Sequence, residues 1–118
     1  MTMHIEHEEA MREAYTELDR LKDMVFRPEA TEADIHRLYT DGAAIDQGWH
    51  YGPHSEHWNF LKEAHARWAS EPEVMRRALT DSYQSGGLDS VARRSVIQAG
   101  LLSGAHPCRP AIERERER

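Results

Sequence analysis

From His4 to Val25 the chain repeats the positions His7, Met11, Ala14, Leu18, Leu21 and Val25 at alternating steps of three and four residues. Only an α-helix gathers such positions on one face, so this stripe sets the fold class before any other feature is read. Tyr15 widens it, and the pairs Glu8 with Arg12 and Asp23 with Arg27 lie one turn apart on the wet side. Pro28 closes the segment. The seam has two possible uses, packing against the rest of the chain or pairing as a homodimer through helix 1.

The same period returns four times. Thr31 with Asp34 reads as an N-cap for a second helix carrying Ile35, Leu38, Tyr39 and Ile45 up to about Gly48, with Gly42 weakening its middle. Gly52 and Pro53 mark a turn between Gly48 and His54. Ser55 is positioned to cap a third helix with Trp58, Leu61, Ala64, His65 and Trp68 along one side. Ser70, Pro72 and Glu73 read as a capping box for a fourth, which carries Val74, Met75, Ala78 and Leu79 until Gly86 and Gly87 break it. A fifth follows Asp89 or Ser90, buries Val91, Val96, Ala99 and Leu102, and ends near Gly104. No stretch alternates with a period of two. The expectation is an all-α chain, a single domain of about five helices over residues 1–104, then a tail over 105–118 with Pro107, Pro110 and a Glu/Arg run lacking an apolar face.

Charge narrows the function classes. The net charge is −6, and residues 1–50 hold twelve acids against five Lys or Arg, while residues 51–118 hold nine against ten. An acidic front half repels a phosphate backbone, so nucleic acid is not an expected partner. No apolar run approaches the roughly 20 residues that cross a bilayer, so no membrane partner is expected. A lone cysteine, Cys108, leaves no intrachain disulfide, and with no charged-then-apolar leader the cytoplasm is the expected location.

Chemistry concentrates between Trp49 and Trp68, which hold all three tryptophans, Tyr51, Phe60 and four of the eight histidines. Flat rings give much contact area for little lost rotamer freedom, and histidines add polar tips. His50, His54 and His57 beside Glu56 have ligand-type side chains, but a Gly-Pro turn splits them, and neither H-E-x-x-H nor E-x-x-H spacing occurs. His4 and His7, near Glu8, read as exposed. Metal and cofactor are therefore not expected. Cys108 in a proline-rich tail lacks the surroundings of a nucleophile, and the plentiful carboxylates from Glu6 to Asp23 read as a hydrated helix face, so the chain is not expected to be an enzyme. The expected binding surface is Trp49, Tyr51, His54, His57, Trp58, Phe60 and Trp68, lining a groove between the 48–54 turn and the third helix. The competing expectation is a helical adaptor that meets a protein partner through its acidic first helix.

Trp68-Ala69-Ser70-Glu71-Pro72-Glu73-Val74 resembles the Tyr-Val-Ser-Asp-Pro-Arg-Phe type of segment in TipAS domains, the antibiotic-binding modules of some MerR-type regulators. Gly87-Leu88, Arg93, Val96 and Ala99 are similar to the pattern of that family's closing helix, and the resemblance covers about residues 8–103, with four extra residues before Gly87. It implies a globin-like helical array whose cleft takes large multi-ring antibiotics such as thiopeptides or albicidin. Heterocycles would stack on rings while histidines meet amide linkages. Two departures stand out. Where some members carry a capturing cysteine this chain has Pro53 or His54, and no winged-helix half is expected, which implies drug sequestration or a vestigial sensor rather than transcriptional control.

Overall fold

The computed structural model describes residues 3–104, and every one of its regular elements is helical. They are α1 (Ile5–Val25), α2 (Glu32–Arg37), a π turn (Leu38–Gly42), α3 (Ala43–His50), α4 (Ser55–Ser70), α5 (Pro72–Ser85) and α6 (Ser90–Ser103). Arg37, Leu38 and Ala43 keep right-handed helical dihedrals, so α2, the π turn and α3 run as one rod. The all-α expectation of five helical runs holds among the described residues. The tail over 105–118, Cys108 included, lies outside them.

Backbone contacts gather into two units, Met1–Trp58 and Asn59–Arg118. In the first, α1 packs on α2, the π turn and α3. Its inward positions are Glu8, Met11, Tyr15, Leu18 and Leu21; Met11, Leu18 and Leu21 are as expected and Tyr15 widens the stripe, while Glu8 stands in place of exposed His7 and Ala14 is half-buried. Tyr15 turns this face inward, because its ring carries far more apolar area than the Ala14 methyl. That brings the Glu8 carboxylate inside. Arg12 Nε and Nη2 donate to its Oε2 at 3.0 and 2.6 Å, pairing a charge that would otherwise be costly to bury. Because Met11, Leu18 and Leu21 are buried within one chain, a dimer built on this seam would first have to unpack it.

Gly42 explains the π turn. A Cβ there would stand 2.9 Å from Leu38 Cδ1 and 3.2 Å from Leu18 Cδ1, so the missing side chain is what lets the rod settle against α1. The local swelling of the helix falls at this close approach.

Helix ends follow the sequence in part. Thr31 forms a full capping box with Asp34, and the Asp89 carboxylate accepts from Ala92 N at 2.8 Å to start α6. Gly86 and Gly104 cap α5 and α6 at φ 72° and 78°, the left-handed conformation that glycine adopts without strain. The capping box expected at Ser70 does not form. Ser70 ends α4 and turns its hydroxyl back to Ala66 O, Glu71 occupies the cap of α5, and Pro72 alone marks that start. Ser55 is likewise the first residue of α4, while His54 O receives the Trp58 N–H.

In the second unit α5 packs on α6, with Met75, Leu79, Val91, Val96 and Ala99 buried. Arg93 ties the α5–α6 connection. Its Nη2 donates to Ser82 O and Leu88 O, and its guanidinium lies 4.9 Å from the Tyr83 ring centre.

Candidate functional site

The residues singled out in the sequence divide between the two units. Trp49, Tyr51, His54, His57 and Trp58 fall in the first, and Phe60 and Trp68 in the second.

In the first unit a file of rings runs from core to surface. Buried Tyr15 meets Trp58 edge-on at 5.3 Å, and Trp58 stacks on Trp49 at 5.8 Å with 16° between planes. Trp49 neighbours His54 at 6.2 Å, His54 meets His7 at 4.9 Å, and His7 is 5.6 Å from His4. α1, α3, the 51–54 turn and the first turn of α4 each contribute a ring. Such tilted and offset pairs are the arrangement that ring quadrupoles favour.

Trp58 corrects the expectation. It is 0% exposed, with Nε1 donating to Asp46 Oδ1 at 2.9 Å, so no indole face is open to a ligand. Trp68 is 1% exposed and donates to Val96 O at 2.8 Å. Each indole N–H has found an internal acceptor, which is what allows the whole ring to sit in the core. Tyr51 errs in the other direction. At 82% exposure, with its ring edge-on to His50 at 4.7 Å, it stands out in solvent. Trp49, His54 and His57 are half-buried.

Electrostatics follow burial. The Tyr15 phenol is pushed well above its ordinary range, first by loss of water and then by the carboxylates of Asp19 and Asp46. His54 is held below the usual imidazole value by desolvation, then by His7 and His57, so its neutral form is favoured. His7 Nδ1 and His54 Nε2 lie 3.2 Å apart. The His50, His54 and His57 set does not converge, and among the described residues no three or more metal-ligating side chains gather.

The second unit holds a pocket of about 160 Å³. Phe60, Ala64, Met75, Ala78, Leu88 and Val96 form its apolar lining, and Glu63 and Arg67 complete it. Phe60 is legible in the sequence as a ring off the Trp58–Leu61 face. Met75 and Val96 are legible there as core, and Leu88 only within the pattern that resembles the TipAS closing helix. The Trp68 to Val96 hydrogen bond also joins the two segments that carry the TipAS resemblance.

No family model, curated protein or solved structure matches the chain.

Proposed function

We propose that the chain is a non-enzymatic binding protein whose second unit grips an aromatic ring of a larger, multi-ring, antibiotic-like molecule. The observation that carries this reading is the pocket beside Phe60, apolar over most of its wall with one Glu and one Arg. A dry apolar cavity of about 150 Å³ takes a benzene ring, whereas whole drug-sized ligands need roughly 300–1,000 Å³. One ring fits the space and the remainder of the ligand lies over the surface, where Arg67 and Glu63 supply hydrogen bonds. The TipAS resemblance supports the same class of ligand. Trp49, Tyr51, His54 and His57 have no part in this pocket, and Trp58 and Trp68 act as core.

The test is a titration of isotope-labelled protein with thiopeptide and albicidin-type compounds, following the Met75 and Ala78 methyl signals. Saturable shifts are expected, weakened about tenfold by Ala78→Leu, which fills the space at a cost near 1.4 kcal/mol of binding. Unmoved methyls at saturating ligand would sink the proposal.

A second reading rests on α1. With its apolar seam turned inward, Glu6, Glu9, Glu13 and Asp23 remain exposed along it, a surface for a basic helical partner. Such pairing would weaken steeply with added salt, and a salt-independent interaction would exclude it.

A further inference from the structure

We infer that His7 and His54 form a two-point site for a late first-row divalent metal ion. The pair is assembled from distant sequence, His7 in the first turn of α1 and His54 in the turn that enters α4. Two imidazole nitrogens bound to one tetrahedral ion at about 2.0–2.1 Å stand about 3.3 Å apart. His7 Nδ1 and His54 Nε2 are separated by 3.2 Å. Without metal the rings share one N–H···N hydrogen bond, and with metal both lone pairs must face the ion. That requires one ring to move its proton to its other nitrogen, with no proton lost, and each ring to rotate by about 35° to bring the lone pairs to a tetrahedral apex.

His4 is not a third ligand through Nδ1, which already accepts from Glu6 N at 3.3 Å. Since no third protein ligand converges among the described residues, water fills the remaining places, and the site takes ions that prefer imidazole, such as nickel and zinc, over magnesium and calcium.

The test uses the full chain and nickel(II), whose quenching of tryptophan emission reads the neighbourhood of Trp49. Saturable quenching is expected, absent with magnesium, and weakened about tenfold or more by His7→Ala and by His54→Asn, at least what loss of an outer partner of a metal ligand costs. His36→Ala, on exposed α2, should leave the titration unchanged. Zinc(II) should move the ring signals of His7 and His54 together in the unaltered protein, a readout that needs no variant to fold. Quenching that does not saturate, equal affinity in both pair variants and the unaltered protein, or zinc shifts that bypass these two rings would each overturn the site.

Discussion

At the scale of single residues, the buried polar atoms decide more than the apolar ones. The Trp58 indole N–H is enclosed and bonded to Asp46, so Asp46→Ala should leave a buried donor unsatisfied and cost about 1–3 kcal/mol in urea unfolding. Asp46→Asn keeps an acceptor oxygen and should lose less. Tyr15 gives a pH dependence of definite sign. Its folded phenol holds its proton above the ordinary value of 10.0, so the unfolded chain binds fewer protons in alkali. Stability is therefore retained below about pH 10 and falls as pH rises past it. Unfolding midpoints measured from pH 9 upward should drop less steeply in Tyr15→Phe, and an unchanged slope would remove Tyr15 as the cause. Neither pairing is legible in the sequence. Composition marks Tyr15 and Trp58 as large rings, but only the packing of α1, α3 and Trp58 within the first unit decides that Asp46 reaches one and burdens the other.

Among the elements, the two glycines of the 32–50 rod make opposite predictions from the same substitution. Gly48 has no neighbouring atom within 4 Å of where an added methyl would sit, so Gly48→Ala should raise stability by about 0.5–1 kcal/mol through helix propensity alone. At Gly42 the added methyl would meet Leu38 and Leu18 at 2.9 and 3.2 Å, so an alanine there must push both leucines aside and forfeits that gain. Gly42→Val should be destabilising by about 1–3 kcal/mol, the usual range for overpacking. Thermal melts of the three variants separate these cases. Helix existence is readable from period and punctuation because those are local properties. The exchange of His7 for Glu8 at the buried edge of α1, the absent box at Ser70 and the π turn arise because each depends on what the helix packs against. The same limit governs the binding surface. Clustering of Trp49 to Trp68 in sequence says nothing of which rings find internal hydrogen-bond acceptors, and those that do, Trp58 and Trp68, become core.

For the molecule as a whole, the division between Trp58 and Asn59 falls inside α4, a helix unbroken from Ser55 to Ser70. Helix formation is cooperative, so breaking α4 in its middle is costly. Trp58 belongs to the first unit and Trp68 to the second, so variants retaining one of these two indoles give a separate optical probe for each. Their urea transitions should coincide, and separated midpoints would show that each unit unfolds alone.

The stacked indoles have a further optical consequence. Chromophores 5.8 Å apart and within 16° of parallel exchange excitation far faster than they emit. Light absorbed by the enclosed Trp58 is therefore shared with Trp49, and the colour and lifetime of that shared glow report on the imidazole beside it.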